Sequence, residues 1–150
     1  MNFDHERFLD IALLVLRIAF GLIFLIYGYR HVVGLEGFIV AFDEGFQIPL
    51  PQITAPLAAW AEFLAGIGAL LGVLTRLSGL SMMITMAVST LAVRLPEGLA
   101  SEEKRDFLGL SGHWDFDLAL FAIGCALLLL GPGRAAISHL IFKGERNLLE

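Results

Sequence analysis

The sequence predicts an all-α membrane protein, a bundle of four transmembrane helices with a short interfacial segment between the first and the second. Of the 150 residues, 57% are hydrophobic and only 17% are charged, and the mean hydropathy is +0.79. Soluble domains average about 45–50% apolar and about 25% charged residues. Several apolar runs also approach the ~20 residues that a helix needs to cross a bilayer. We therefore expect one membrane domain over residues 1–150.

Four apolar stretches are long enough to be the spans, and they lie at about residues 11–33, 55–74, 77–95 and 114–131. The last has close to 18 residues, within the workable range of ~17–25. The N-terminal segment MNFDHERFLD is acidic rather than cationic, and no small-residue cleavage site follows the first span. The first span is therefore predicted to be an anchor and not a removed signal peptide.

The segments between the spans predict an up-down topology. Over residues 34–46, apolar residues recur at helical spacing between acids, which is typical of a short helix lying at the interface. Pro49 and Pro51 then break the helix and turn the chain back. Thr75-Arg76 is a very short connection, so the second and third spans are predicted to form an antiparallel hairpin. Residues 96–112 form the one long polar loop.

The distribution of cations predicts the orientation. Four spans place both termini and the Thr75-Arg76 connection on one side of the membrane. That side carries five cations, or six with Arg17, and the other side carries four. The first set is Arg7, Arg76, Arg134, Lys143 and Arg146, and the second is Arg30, Arg94, Lys104 and Arg105. The positive-inside rule then favours cytoplasmic termini.

Glu62 is the most informative residue, because it is the only charge in the second span. On a helical repeat of ~3.6 residues, small residues share its side, namely Ala58, Ala65, Gly66, Ala69 and Gly72. Bulky residues fall on the other side, namely Leu57, Leu64, Ile67 and Leu71. A lipid-facing carboxylate costs ~2.5–3.5 kcal/mol on insertion scales, and small residues let helices approach. Glu62 is therefore predicted to face the bundle, with Gly66 and Gly72 as structural packing residues.

Two further spans carry charges at membrane depth. In the first span, the helical repeat places one set on a common face, namely Arg17, Gly21, Phe24, Gly28 and His31. In the fourth span, Asp115 shares a face with small residues, namely Ala119, Ala122 and Ala126. Asp115 is therefore predicted to face inward, and Asp117 to reach the headgroup region.

The up-down order brings polar and aromatic residues to one membrane surface, namely Tyr27, His31, Trp60, Glu62, Arg94, His113, Trp114 and Asp115. A pocket there would hold a polar head group, and its candidate ligand-binding residues are Glu62, Tyr27, His31, Asp115 and Arg94. In the alternative, Glu62 and Asp115 are structural and fix the helix register by pairing with Arg17, Arg30, His31 or Arg94. Arg17 and Arg76 are the candidate structural cations. The sequence leaves both alternatives open for Glu62.

Other classes of function have little support in the sequence. The net charge of −5 gives no argument for nucleic-acid binding. No spacing of His, Cys, Asp or Glu matches a metal-ligand motif, and no flavin or nicotinamide fingerprint occurs. The single cysteine, Cys125, cannot form an intrachain disulfide. Electrons for any redox reaction would therefore have to come from a partner.

Three stretches of the chain resemble the DoxX family of small four-helix membrane proteins. The first span, Leu16 to Tyr29, is similar to the family's opening helix with its arginine and glycines. The stretch Ala61-Glu62-Phe63-Leu64-Ala65-Gly66, continuing to Gly72-Val73-Leu74-Thr75-Arg76, resembles the family's membrane glutamate, glycine-rich turn and closing Thr-Arg. The stretch Gly112 to Phe116 and the later Gly131-Pro132-Gly133-Arg134 resemble its fourth helix and the end of that helix. The chain departs from the family pattern at Ala65, Asp115, Tyr27 and Ala135-Ala136-Ile137-Ser138, where glycine, glutamate, histidine and Ser-Leu-Asp are common.

The resemblance implies a redox-associated protein of a bacterial or archaeal inner membrane. Some DoxX members are the quinone-reducing membrane part of a thiosulfate oxidoreductase, and others are thought to join oxidative-stress or thiol-redox complexes. Three hypotheses follow. The first is a redox subunit that binds quinone near Glu62 and works with a partner protein. The second is a non-catalytic structural subunit of a larger membrane complex, and the third is a small-molecule or lipid transporter. Self-association is an alternative to a partner protein. The transporter is the least supported, since no span is interrupted at its midplane and no inverted repeat is evident.

Overall fold

The structure, a computed structural model, describes residues 3–100, 114–134 and 136. Within these residues the chain forms helices and no strand, as predicted. In chain order the helices are α1 (Phe3–Val33), α2 (Leu35–Val40), a π-helical turn (Ala41–Gly45), α3 (Pro51–Leu71), α4 (Thr75–Val88), a second π-helical turn (Ser89–Arg94), α5 (Leu95–Ala100) and α6 (Trp114–Leu130).

Three helical stretches are long and apolar enough to cross a membrane, namely Arg7–Val33, Pro51–Leu71 and Thr75–Ala100. They contain the whole of the first and third predicted spans and the second span as far as Leu71. The fourth predicted span forms α6, which is apolar but only 17 residues long and is not one of the three. The chain is therefore an all-helical integral membrane protein with helices at all four predicted spans. Three of these helices are long and apolar enough to cross a membrane.

The prediction that Thr75-Arg76 connects the second and third spans is wrong, because both residues already belong to α4. The connection is formed by residues 72–74 instead. Gly72 has φ +71° and ends α3 in the left-handed conformation that glycine adopts readily. At the other end, α3 begins at Pro51 rather than near residue 55, because proline is well suited to the first helical position.

The prediction of a long polar loop over residues 96–112 is wrong for residues 96–100, which are helical. The chain passes from α4 through the π-helical turn Ser89–Arg94 into α5 without leaving helical structure. Pro96 lies in α5 directly after the π-helical turn, and because proline has no N–H it removes one hydrogen bond from this continuous helix. Residues 101–112 of the predicted loop lie outside the described residues.

The long helices pack in the order α1, α3, α4, α6, and α6 returns to contact α1. One apolar core runs between all four of them, and its buried members are Leu13, Phe20, Phe24, Ala65, Ala69, Met82, Leu120 and Leu127. α2 and the first π-helical turn lie against α3, at the end of the bundle where α1 finishes. α6 therefore belongs to the same core as the three longer spans.

The helices α1 and α3 cross in backbone contact at two glycines. A Cβ on Gly28 would lie 2.4 Å from the Phe63 nitrogen, and a Cβ on Gly66 would lie 2.5 Å from the Leu25 nitrogen. The predicted facing of α3 is confirmed: Glu62, Ala65, Gly66 and Ala69 are buried, and Leu57, Leu64 and Leu71 are exposed. Ala58 and Ile67 lie between the two faces and are partly buried.

Candidate functional site

Glu62 of α3 pairs with His31 of α1, and this pair is the centre of the candidate site. The distance from His31 Nδ1 to Glu62 Oε2 is 2.6 Å. The Glu62 side chain is only 9% exposed, whereas the His31 side chain is 30% exposed. Gly28 lies one turn before His31, and its missing side chain lets α1 approach the Glu62–Phe63 backbone. Of the four partners that the sequence left open for Glu62, the structure selects His31.

Two aromatic rings lie next to the imidazole of His31. The Phe38 ring of α2 stacks on it with a centroid distance of 4.0 Å and an angle of 4° between the rings. Tyr27, one turn back along α1, lies with its ring centroid 6.4 Å away and is about half exposed. The ring contacts continue from Phe38 to Phe42 and from Phe42 to Phe46, at 4.7 and 5.9 Å. The residues 35–46 are thus connected to the candidate site by one stacked and two edge-on aromatic contacts.

The short contact between His31 and Glu62 limits where protons can lie. With Glu62 ionised, its carboxylate can only accept, so His31 Nδ1–H is the donor. With Glu62 protonated, its hydroxyl donates to Nδ1 instead. In both arrangements one proton lies between the two atoms, and the Nε2 edge of the imidazole remains as the second proton-exchanging position. The pair can therefore hold a proton at Nδ1 while Nε2 donates to, or accepts from, a further group.

A second polar group lies where α4 meets the start of α6. Ser89 Oγ donates a hydrogen bond of 2.7 Å to Asp117 Oδ2, and Arg94 Nε lies 3.5 Å from the same oxygen. Ser89 and Arg94 are the first and last residues of the second π-helical turn. A π-helix bonds residue i to residue i+5, so residues five apart lie on one side of it. The π-helical turn therefore lets both side chains reach one carboxylate.

The prediction that Asp115 faces inward and Asp117 faces the headgroups is wrong. Asp115 is exposed, and Asp117 is only 3% exposed. The buried residues of α6 follow helical spacing through Asp117, Leu120, Gly124 and Leu127. The small residue that permits close packing is Gly124, whose Cβ would lie 2.9 Å from the Gly79 carbonyl oxygen. Ala119 and Ala122, which suggested the opposite face, are exposed.

Arg17 is buried and does not pair with Glu62. Its Nε donates a hydrogen bond of 3.1 Å to the carbonyl oxygen of Ala69, and its Nη1 donates to the carbonyl oxygen of Pro132. Gly72 is in contact with the guanidinium, since a Cβ there would lie 2.9 Å from Arg17 Cζ. Arg17 thus connects α1 to the end of α3 and to the segment after α6. Its role in the described structure is to join these three segments.

The other candidate structural cation, Arg76, makes no ion pair with the residues that the structure describes. Its Nε atom is buried without a hydrogen-bond partner there, and the same is true of the neighbouring Thr75 Oγ1. At the same end of the bundle, Asp10 accepts a hydrogen bond of 2.9 Å from the backbone N–H of Arg134. The segment after α6 is therefore attached to α1 at both Arg17 and Asp10.

The structure brings three of the five predicted ligand-binding residues together and places the other two elsewhere. Glu62, His31 and Tyr27 lie together, whereas Arg94 pairs with Asp117 and Asp115 is exposed. Sequence reasoning missed three contributors, namely Phe38, Ser89 and Asp117. Ser89 carried a signal, because it ends a stripe of small hydroxyl residues along the third span, at Ser78, Ser81, Thr85 and Ser89.

The described residues contain no group of three or more His, Cys, Asp and Glu side chains arranged to hold a metal ion. Cys125 is a free cysteine and is partly buried. Two shallow apolar grooves are present on the helix surfaces. One, of about 350 Å³, lies between the end of α4 and the start of α6 and includes Asp117; the other, of about 370 Å³, lies beside the crossing of α1 and α3. Neither groove is lined by Glu62 or His31.

Comparison with known proteins identifies the family. The DoxX family model matches residues 12–95, which is more than half of the chain. The chain belongs to the DoxX family. The match includes the whole His31–Glu62 pair and ends just after Arg94, before α6. The resemblance inferred from the sequence is thus confirmed.

A relative in Bacillus subtilis is named "Putative oxidoreductase CatD". It is 30% identical to this DoxX protein over 138 residues, which is 92% of each chain. No solved structure matches the chain. The similarity to this relative therefore extends beyond the part of the chain that the family model matches.

Proposed function

We propose that this protein is the membrane subunit of a redox system, in which the His31–Glu62 pair binds the head group of a quinone or quinol and exchanges a proton with it. The observation that carries the proposal is the 2.6 Å contact between a buried carboxylate and a partly exposed imidazole. Membership of the DoxX family and the oxidoreductase name of the Bacillus subtilis relative support a redox role.

The chemistry of quinones matches what the pair can do. Reduction of a quinone to a quinol takes up two electrons and two protons, and oxidation of a quinol releases them. A quinol hydroxyl that donates to Nε2 of His31 would lose its proton to the imidazole, and Glu62 would stabilise the imidazolium through Nδ1–H. In the reverse direction the imidazolium would protonate a reduced quinone oxygen. Tyr27 and Phe38 would border the ring of the head group.

The electrons come from, or go to, a partner protein in this proposal. The sequence contains no flavin or nicotinamide fingerprint, and Cys125 is the only cysteine. The protein would therefore contribute the quinone site and the proton, while a second redox protein docked on it would contribute the electron carrier. A self-associated form of this chain alone would lack such a carrier.

We further propose that α6 is a fourth span and that the protein lies in the cytoplasmic membrane of a bacterium or archaeon with its termini on the cytoplasmic side. The 17 residues of α6 measure about 26 Å along the axis, against about 30 Å of hydrocarbon. Local thinning of the bilayer accommodates a mismatch of this size. α6 also shares the core of the three longer spans through Leu120 and Leu127, and the excess of cations on the side of the termini favours this orientation.

A non-catalytic structural subunit is the second candidate, and a specific observation favours it. The buried charges at Glu62, Asp117 and Arg17 each have partners within the chain, and neither of the two grooves includes His31 or Glu62. A protein of this kind would need no ligand and would serve to dock other subunits.

Purification in a mild detergent separates the two candidates. Quinones and proteins that co-purify with the full chain are identified by mass spectrometry, for the unmutated protein, for His31→Asn and for the control Glu44→Gln, which removes an exposed acid from the first π-helical turn. We expect a quinone with the unmutated protein and the control, and none with His31→Asn. A stoichiometric protein partner with no quinone in any sample would contradict the quinone site and support the structural subunit.

A further inference from the structure

The groove beside the crossing of α1 and α3 has one apolar end and one cationic end. It is lined by Leu25, Ile26, Tyr29, Arg30 and Phe63 and has a volume of about 370 Å³. Ile26, Tyr29 and Arg30 are exposed, so the groove faces the outside of the helix bundle. We propose that this groove binds one anionic phospholipid, with its phosphate at Arg30 and an acyl chain along Leu25, Ile26 and Phe63.

The close crossing of the two helices gives the groove a fixed floor. Gly28 and Gly66 bring the α1 and α3 backbones into direct contact, so the larger side chains project to the sides of the crossing. The Tyr29 and Phe63 rings lie 6.4 Å apart and join the two helices across the groove. A groove whose walls belong to two tightly packed helices needs little rearrangement to accept a flexible chain.

The polar end of the groove lies at headgroup depth. Arg30 is three residues before the end of α1, about 5 Å along the helix axis. The partly exposed Tyr29 and Trp60 lie at the same end of the two helices, and such aromatic residues are enriched at the membrane interface. From Leu25 to Arg30 is about 7–8 Å along α1. A lipid lying with its phosphate at Arg30 would therefore direct its acyl chain toward the bilayer centre.

The charge of Arg30 is what selects the headgroup. Unlike Arg17 and Arg94, Arg30 forms no side-chain hydrogen bond or ion pair with any residue that the structure describes. A guanidinium at an interface forms strong bidentate contacts with phosphate oxygens. An anionic lipid satisfies this cation, whereas the choline group of a zwitterionic lipid adds a second positive charge beside it.

The test measures lipid binding to the purified full chain. Native mass spectrometry in detergent follows titration with palmitoyl-oleoyl phosphatidylglycerol and, separately, with the matching phosphatidylcholine. We expect the unmutated protein to prefer phosphatidylglycerol, and Arg30→Gln to bind it about tenfold more weakly, the size of one lost charge-assisted hydrogen bond. Ile26→Trp, which fills the groove, should weaken binding of both lipids. The control Arg7→Gln removes an exposed cation from the other end of α1 and should bind like the unmutated protein.

Several outcomes would overturn the proposal. Arg30→Gln could bind phosphatidylglycerol as well as the unmutated protein does, or Arg7→Gln could lose as much binding as Arg30→Gln. Binding could also be unchanged in Ile26→Trp. Finally, millimolar inorganic phosphate could displace the lipid, which would indicate a site for free phosphate. A photo-activatable phosphatidylglycerol on the unmutated protein keeps the test decisive even when a variant does not fold. Its label should fall in residues 25–30 or 60–63, and labelling confined to other segments would contradict the proposal.

Discussion

Arg17 and Ala69 are joined by a buried hydrogen bond of 3.1 Å between residues 52 positions apart in the chain. The same guanidinium donates to the carbonyl oxygen of Pro132, so one side chain satisfies backbone acceptors from two further segments. A carbonyl at the end of a membrane helix has few other donors available. Arg17 is therefore expected to stabilise the fold rather than to act on a ligand.

Replacement of Arg17 by methionine should lower the free energy of unfolding. A buried carbonyl oxygen that loses its donor costs about 1–3 kcal/mol. The Pro132 oxygen loses the Arg17 donor, whereas the Ala69 oxygen still accepts from the Gly72 N–H. The free energy is measured by denaturant titration in mixed micelles, with Arg7→Gln as the control for the loss of a positive charge from the same helix. An equal and small effect of the two variants would show that Arg17 does not join the three segments.

Replacement of Gly66 by alanine should separate α1 from α3. The added Cβ would lie 2.5 Å from the Leu25 backbone nitrogen, and backbone atoms cannot move aside as a flexible side chain can. Overpacking of this kind typically costs ~1–3 kcal/mol, and Gly66→Leu should be worse. The matched control is Gly37→Ala in α2, where nothing lies within 4 Å of the new Cβ. The unfolding free energy of each variant is measured by denaturant titration in mixed micelles. An unchanged value for Gly66→Ala together with a large decrease for Leu64→Ala would mean that α3 is rotated the other way.

The two aspartates at the start of α6 should respond differently to substitution. Asp117→Ala leaves Ser89 and Arg94 without their shared acceptor, and we expect a loss of about 1–3 kcal/mol in unfolding free energy. Asp115→Ala removes an exposed carboxylate and should change it by less than about 0.5 kcal/mol. A double-mutant cycle of Asp117→Ala with Ser89→Ala should show coupling. Larger destabilisation by Asp115→Ala than by Asp117→Ala would contradict this orientation of α6 and favour the one predicted from the sequence, with Asp115 facing inward.

Removal of the Phe38 ring should expose His31. The two rings are stacked at 4.0 Å, so Phe38→Ala uncovers one face of the imidazole. The rate at which diethyl pyrocarbonate modifies His31, followed by peptide mass spectrometry, should rise severalfold. Phe46→Ala is the control, because its ring contacts Phe42 rather than His31. An unchanged rate in Phe38→Ala would show that α2 does not cover the imidazole in the membrane protein.

The sequence predicted the helices and the facing of α3 because both follow from composition and helical period. Glu62 is the only charged residue of the second predicted span, and the small residues on its side of the helix indicated the side that packs against other helices. The same reasoning failed for α6, where Ala119 and Ala122 are exposed and Gly124 makes the close contact. On α6 the buried face contains Leu120 and Leu127, which are larger than the alanines, so a stripe of small residues did not mark the packing face.

The partners of the buried charges could not be read from the sequence. His31, Arg17, Arg30 and Arg94 were all possible partners of Glu62, since the choice depends on the crossing of α1 over α3 at Gly28. The π-helical turn Ser89–Arg94 has no simple sequence signal, yet it brings two partners to Asp117. Two hydrogen bonds of Arg17 go to backbone carbonyls, which a pattern of side-chain charges does not reveal.

Glu62→Gln tests the central claim most directly, because glutamine keeps the shape and hydrogen bonding of the side chain and removes its titratable charge. Thermal stability and the binding of decyl-ubiquinone are measured on the same purified sample, beside the unmutated protein and the control Glu36→Gln, which removes an exposed acid from α2. The proposed proton role predicts a variant that melts close to the unmutated protein and has lost quinone binding, while the control retains both. A variant that melts early while the unmutated protein binds no quinone would identify the pair as structural. Normal stability together with normal quinone binding in Glu62→Gln would contradict the account.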